Sequence, residues 1–280
     1  MANSFEKNTF GKRFGSMLKV DFKRLFLSRA FYIILAACLL APVLILVMVT
    51  MMDGTVSVDP QTGKETVMEG FDYVWQIIGS VSDPNANAAM GGDAASGAAS
   101  MDMSITSMCN INMLYFAIAA LVCIFVADDF RSGYQKNLFT VRAKKTDYVA
   151  SKTVVLTFGA AMMILAFFVG SLVGGAVAGL PYTMEGFNTL NLLMCILAKM
   201  VLVSVFVPIY LVMSVVAKQK LWLSILLSMM VGMFLFMMIP MLTPLNATPI
   251  HVLLCAVGGV GFGFGLGAIG NLVLKKTSLV

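Results

Sequence analysis

One charged stretch stands out between two long apolar runs, at positions 128–152. It opens with the adjacent acids Asp128 and Asp129, contains six basic and three acidic residues in all, and is interrupted at Gly133. A connection of this length is too short to fold as a domain, but closely spaced charges can steer and bind a protein partner. The stretch is therefore predicted to dock another protein.

Lys199 could also have a chemical role, because it is the one fixed charge within the apolar run 187–217. A lysine at the centre of a membrane helix costs about 2.5–3.5 kcal/mol. In one interpretation it is a pathway residue, whose ammonium faces an internal cavity and attracts an anionic group of a substrate. In the other it lies near a helix end, where its flexible side chain reaches the headgroups.

Gly265, Gly267 and Gly270 match the letters of the GxGxxG dinucleotide fingerprint, but no strand precedes them and no acidic residue follows. A dinucleotide site is therefore excluded. Glycines four residues apart instead give a helix face that another helix backbone can approach closely. This spacing predicts tight helix packing at Gly170, Gly174, Gly259, Gly263 and Gly267.

No catalytic motif occurs along the chain. It has no GxxxxGK[ST] phosphate-binding loop and no HExxH, and its single histidine is His251. Soft sulfur ligands that could hold Cu(I) crowd at Met90, Met101, Met103, Met108 and Cys109, but chance clustering of the 23 methionines is the better interpretation. We expect no catalytic, cofactor-binding or metal site in this chain.

Membrane helices must position these residues. Hydrophobic residues make up 59% of the 280 residues and charged residues only 12%, with a mean hydropathy of +0.91, which excludes an ordinary soluble enzyme. A helix needs about 20 apolar residues to cross a bilayer. We therefore predict an all-α polytopic membrane protein with six spans, at about 31–52, 111–127, 153–180, 187–217, 221–239 and 250–274.

The positions of Lys and Arg predict the orientation of these spans. The first 29 residues hold seven basic residues against two acids, and 128–152 is also net basic, so both are expected in the cytoplasm. The 53–110 loop has one basic residue, Lys64, and is expected outside. The loops agree on an N-in, C-in topology for the transmembrane domain 30–280. Because the basic blocks flank the spans, no nucleic-acid partner is expected.

Residues 1–29 are predicted to form an amphipathic helix on the membrane surface. Apolar residues recur at helical spacing, among them Phe10, Phe14 and Leu18, while basic residues such as Lys23 and Arg24 cover the remaining surface. The alternative is a basic anchor that only sets the topology.

The charged stretch resembles the hallmark of permeases of type 2 ATP-binding-cassette (ABC) transporters, also called ABC-2 type, especially those of Gram-positive bacteria. That pattern runs from an acid and an aromatic residue through glycine to Lys-Asn, then to a basic residue and Ser-Lys. The matching residues are Asp129, Phe130, Gly133, Lys136, Asn137, Lys145, Tyr148, Ser151 and Lys152. Tyr134 stands where the family usually has threonine, and 141–144 lack its common small or proline turn.

The resemblance implies an exporter in the plasma membrane. Two permeases, identical or paralogous, would associate with two ATP-binding subunits, which carry the ATP and Mg²⁺. Those subunits would dock on the charged stretch, which would act as the coupling region, and on the N-terminal helix. The coupling residues would be Asp129, Phe130, Arg131, Gly133, Lys136, Asn137 and Lys145, and the interface helix would present Phe10, Phe14, Leu18, Lys23 and Arg24. The implied cargo is an amphipathic peptide, an antimicrobial or a hydrophobic drug.

Two other classes of function compete with the exporter. An ion-coupled secondary carrier predicts buried carboxylates, inverted repeats and broken helices, but no Asp or Glu lies inside a predicted span. A non-transporting scaffold or sensor is compatible with everything except the charged stretch at 128–152.

Overall fold

The computed structural model describes residues 10–52, 55–58, 65–68, 112–140, 144–179, 188–217, 220–236 and 238–276. Within these ranges the regular secondary structure is helical apart from one two-stranded hairpin. The elements are α1 (Phe10–Leu27), α2 (Arg29–Met52), β1 (Thr55–Val58), β2 (Glu65–Met68), α3 (Leu114–Arg131), α4 (Tyr134–Thr140), α5 (Lys145–Ala178), α6 (Thr189–Ala217), α7 (Leu221–Phe236), α8 (Met238–Leu242) and α9 (Pro249–Lys276).

Each of the six predicted spans contains a helix. Among the described residues, four helical segments are long and apolar enough to cross a membrane: Arg29–Val47, Lys145–Ala178, Thr189–Ala217 and Pro249–Leu274. The helix α3 ends in a charged turn, and α7 has 16 residues, so membrane crossing by these two helices stays a prediction. The helix α5 begins at Lys145, eight residues before the predicted span at 153, because a helix can continue beyond the apolar part of its sequence.

The helix α6 lies at the centre of the bundle and contacts α3, α5, α7 and α9, while α5 also packs along α2. Their buried apolar side chains form one main core that includes Ile118, Val122, Leu156 and Val203. The amphipathic helix α1 packs against α5 through Met17 and Leu25, which are buried. Helix α1 is therefore part of the folded bundle as well as a candidate for membrane contact.

The predicted glycine contacts divide into two groups. A Cβ added at Gly170 would lie 2.1 Å from the backbone oxygen of Leu39, and one at Gly174 would lie 3.2 Å from Val43 Cγ2. A Cβ at Gly259 would lie 1.8 Å from the Oγ of Ser204. At Gly263 and Gly267, by contrast, an added Cβ meets no described atom within 4 Å, so these two glycines do not pack against another described helix of the chain.

The strands β1 and β2 pair antiparallel, with Thr55 opposite Met68 and Val58 opposite Glu65. This hairpin belongs to the loop 53–110, where no strand was predicted. The rest of that loop, including the methionine cluster with Cys109, lies outside the described residues.

Candidate functional site

Four charged side chains meet where α1, α3 and α5 converge. The Nζ of Lys152 lies 2.7 Å from Asp21 Oδ1 and 2.8 Å from Asp129 Oδ2, and Arg24 pairs with the second oxygen of Asp129. Asp21, Asp129 and Lys152 are fully buried, and the Arg24 side chain is 24% exposed. We call Asp21, Arg24, Asp129 and Lys152 the charge cluster.

Helical spacing brings these charges inside. Asp21 lies four residues after Met17 and four before Leu25, so it shares the buried face of α1. Lys152 follows Tyr148 by four residues on a buried face of α5. The three helices therefore direct their charges into one shared space rather than onto separate surfaces.

The polar atoms of the charge cluster are well satisfied. The Oγ of Ser151 donates a hydrogen bond to Asp21 Oδ2 at 2.6 Å, and the Tyr148 hydroxyl donates to Asp129 Oδ2 at 2.8 Å. Two acids balance two bases, so no net charge is buried. Buried ions are tolerated when they are paired and their remaining hydrogen-bonding capacity is used, and this cluster meets both conditions.

Aromatic rings enclose the two cations. The Lys152 Nζ lies 4.3 Å from the ring centroid of Phe125 and 5.4 Å from that of Tyr148. The Arg24 guanidinium carbon lies 4.1 Å from the centroid of Tyr134. Cations within about 6 Å of a ring face are attracted by its quadrupole, so these rings stabilise the charges while excluding water.

The charge cluster also shifts the pKa values of Arg24, one of its members, and of the neighbouring Tyr134. Burial lowers the pKa of the Arg24 guanidinium. The charge of Asp129, its hydrogen bond to Arg24 and the charges of Tyr134 and Asp21 together raise the pKa by more, so it lies above its ordinary value. Burial and the charge of Asp21 raise the pKa of the Tyr134 phenol, although Arg24 opposes them. Arg24 therefore stays charged and Tyr134 stays neutral at physiological pH.

The short helix α4 has two distinct faces. Tyr134, Leu138 and Phe139 are half-buried and Gln135 is buried, so these residues form its inward face. Its exposed residues are polar: Lys136, Asn137 and Thr140. The helix follows Gly133, whose φ of 68° is a left-handed conformation that glycine adopts without strain. Helix α4 thus presents a polar surface outward and rests on the charge cluster.

The predicted coupling residues do not all lie on one surface. Arg131, Lys136 and Asn137 are exposed, while Phe130 is half-buried and packs against the core. The Nζ of Lys145 donates a hydrogen bond to the Leu274 backbone oxygen at 2.6 Å, near the end of α9. Asp129 is completely buried, so in this conformation it lies beneath the surface that a docked protein would contact.

The named residues of the predicted interface helix also differ in exposure. Phe10 and Lys23 are exposed, and Phe14 and Leu18 are half-buried. Arg24 was expected on the outer basic surface, but it turns inward to Asp129. A further ion pair joins α1 to α5, because Arg13 Nε lies 3.0 Å from Asp147 Oδ2.

Sequence reasoning missed Asp21, Tyr134, Tyr148 and Lys152 as parts of one site. The available signal was the position of Asp21 between Met17 and Leu25 at four-residue spacing, which places an acid on the face predicted to be apolar. An acid on that face needs a buried cation, and the basic residue in the Ser-Lys pair at 151–152 supplies it.

Lys199 lies apart from the charge cluster, inside the bundle. It is 5% exposed, and its Nζ donates hydrogen bonds to Asn112 Oδ1 and, at 3.2 Å, to Thr243 Oγ1. The Tyr115 hydroxyl donates to the Lys199 backbone oxygen at 2.9 Å. Lys199 therefore joins the residues just before α3 to the turn after α8, and its ammonium does not extend to the protein surface.

Replacing Asn112 with leucine should lower the free energy of unfolding by about 1.5–3 kcal/mol, since the substitution removes a hydrogen bond from a buried charged donor. Thermal denaturation of the purified protein in mild detergent measures the effect. Asn137→Leu, on the exposed face of α4, is the matched control and should change the stability by less than about 0.5 kcal/mol. Equal destabilisation by the two variants would contradict a role for Asn112 in holding Lys199.

Comparison with known proteins adds one finding. A family model described as ABC-2 family transporter protein matches residues 86–235, more than half of the 280-residue chain. No curated protein and no solved structure matches the chain. The matched range contains α3, α4, α5, α6 and most of α7, and with them Asp129 and Lys152 of the charge cluster.

Proposed function

Because the chain belongs to the ABC-2 family of transporter proteins, we propose that it is the permease subunit of an ATP-driven exporter and that α4 receives its ATP-binding subunit. Membership of this family implies a membrane location and an ATP-binding partner. The observation that supports α4 as the docking element is its pair of faces. One face is exposed and polar, and the other rests on charges contributed by three other helices.

Docking on α4 would place the partner against a basic surface. Arg131 and Lys136 are exposed on adjoining turns, and Asn137 adds an amide that can donate and accept hydrogen bonds. A complementary partner surface therefore carries acidic groups. Displacement of α4 by that partner would reach α1 and α5, because Tyr134 lies against Arg24 and within 5.5 Å of Lys152.

The proposed arrangement in the membrane has six spans with both chain ends in the cytoplasm. The four long apolar helices supply four crossings, and α3 and α7 supply the other two. Helix α4 then lies on the cytoplasmic side, and α1 lies along the inner surface of the plasma membrane with Phe10 and Lys23 exposed. This orientation places the basic residues of α1 and α4 at the cytoplasmic surface of the membrane, as the positive-inside rule predicts.

The complete exporter would contain two permeases, identical or paralogous, and two ATP-binding subunits. ATP and Mg²⁺ would bind to those subunits, and this chain would perform no hydrolysis. The cargo class that fits is an amphipathic peptide, an antimicrobial or a hydrophobic drug. Apolar side chains dominate the predicted spans, and Lys199, the one lysine within them, already has Asn112 and Thr243 as partners. This composition favours a hydrophobic cargo over a small ion.

The double substitution Arg131→Glu/Lys136→Glu should weaken association with the ATP-binding subunit at least tenfold, because it replaces two attractive charges with two repulsive ones. The measurement is affinity purification of the tagged chain from its native membrane in mild detergent, with quantification of the co-purified ATPase. Lys220→Glu, an exposed lysine before α7, is the matched control and should leave the yield unchanged.

Two outcomes would oppose the proposal. Full retention of the ATPase by the double variant would remove α4 as its docking element. A wild-type chain that co-purifies no ATP-hydrolysing protein would instead favour the carrier or the scaffold, and proton-driven uptake by vesicles without ATP would identify the carrier.

A further inference from the structure

The position of α4 depends on a few side chains. The turn before it gives little support, since Gly133 has no described atom within 4 Å of the place where a Cβ would stand. Gln135 is buried, but its amide makes no hydrogen bond among the described residues. Two aromatic residues make the specific contacts instead, Tyr134 at the start of the helix and Phe139 near its end.

These two aromatic residues differ in what they join. The described aromatic and cation–π contacts of Phe139 are with α5, where its ring centroid lies 5.7 Å from that of Tyr148 and 5.8 Å from the Lys145 Nζ. Tyr134 contacts two helices at once, because it lies 4.1 Å from the Arg24 guanidinium on α1 and 5.5 Å from the Lys152 ammonium on α5. Of these ring contacts, the one between Tyr134 and Arg24 links α4 to α1.

We infer that Tyr134 is a positioning residue that transmits movement of α4 to α1, through the contact between its ring face and the Arg24 guanidinium. Arg24 also pairs with Asp129, which pairs in turn with Lys152, so the ring acts on a connected set of charges. The inference rests on the proposed function for its consequence in transport, and on the contact geometry alone for the link between the helices.

Both the ring and the hydroxyl of Tyr134 interact with Arg24, since the guanidinium carbon lies 4.1 Å from the ring centroid and the hydroxyl hydrogen-bonds to the same side chain. We assign the positioning role to the face of the ring. A cation is attracted to the quadrupole of an aromatic ring, and a planar guanidinium can also stack on it. Phenylalanine keeps that ring, whereas leucine keeps apolar volume without it. Tyr134→Phe and Tyr134→Leu therefore separate the ring contact from simple packing.

The first experiment measures the ATPase rate of the purified complex and the amount of ATP-binding subunit retained. Tyr134→Leu should retain the subunit within twofold of wild type while its ATPase rate falls about tenfold. Tyr134→Phe should restore the rate to within twofold. Phe139→Leu, the matched control on the same helix, should lower the rate less than threefold because the contact with Arg24 remains.

The second experiment uses the permease alone. Hydrogen exchange of the backbone amides should become faster in both α4 and α1 in Tyr134→Leu, and should match wild type in Tyr134→Phe. This measurement does not need an ATPase, so it tests the link between α4 and α1 even if no ATP-binding subunit is found. Faster exchange in α4 with α1 unchanged would overturn the inference.

A double variant tests whether Tyr134 acts through Arg24. Arg24→Lys keeps the positive charge but removes the planar guanidinium. Combined with Tyr134→Leu it should reduce the ATPase rate no further than Tyr134→Leu alone, since residues in one chain of contacts are non-additive. If the fold-losses in rate of the two single variants multiply in the double variant, the inference is overturned. Loss of the ATP-binding subunit in Tyr134→Leu would also overturn it, as would a Tyr134→Phe variant as slow as Tyr134→Leu.

Discussion

Replacing Lys152 with methionine should lower the free energy of unfolding by about 3–5 kcal/mol, the cost of removing one partner from a buried set of ion pairs. The substitution keeps most of the side-chain volume but leaves Asp21 and Asp129 with Arg24 as the one remaining cation of the charge cluster. Thermal and denaturant unfolding in mild detergent measure the loss, and the accumulation of the folded protein in membranes should fall with it.

Two further variants make the Lys152 prediction specific. Lys144→Met alters an exposed lysine just before α5 and should change the stability by less than about 0.5 kcal/mol. Adding Asp21→Asn to Lys152→Met removes the excess buried acid and should recover part of the loss. If the double variant is less stable than Lys152→Met by the full cost of a second independent substitution, the two residues do not act as a pair.

Replacing Gly170 with alanine should cost about 1–3 kcal/mol, because the new methyl group collides with the backbone of α2. The Cβ would stand 2.1 Å from the Leu39 oxygen, and a backbone atom cannot move aside by changing its rotamer. Helices α2 and α5 must therefore separate locally and lose contacts along their shared interface. Thermal denaturation again gives the measurement.

The control for Gly170→Ala is the same substitution at Gly267 in α9. No described atom lies within 4 Å of its added Cβ, and alanine favours helix over glycine by roughly 0.5–1 kcal/mol. In the isolated chain Gly267→Ala should therefore be neutral or stabilising. Equal losses at the two positions would show that the close approach to Leu39 does not set the cost.

Sequence alone predicted the elements better than the contacts between them. Apolar length located a helix at each predicted span. A long apolar segment lies in the bilayer, where its backbone N–H and C=O groups must hydrogen-bond to each other, and a helix satisfies them locally. The start of α5 at Lys145 escaped that criterion, because a helix that leaves the membrane can keep its hydrogen bonds in water. The charged stretch 128–152 was found from its composition, but its residues divide between an exposed face and a buried cluster.

The charge cluster shows why the remainder could not be predicted. Asp21 and Lys152 are 131 positions apart, and nothing in either local pattern specifies the other as a partner. Periodicity indicates which face of a helix a residue occupies, but pairing depends on how three helices are arranged in space. Arg24 illustrates the limit, because it shares α1 with exposed Lys23 yet turns toward Asp129.

The two ion pairs between α1 and α5 have a geometric consequence. Arg13 meets Asp147 and Asp21 meets Lys152, and the α1 members of these pairs are about 12 Å apart along the helix at about 1.5 Å per residue. A rod attached at a single point can pivot about it, but a rod attached at two separated points has a fixed direction. Any tilt of the first turns of α5 must therefore become an equal tilt of α1 while both attachments hold.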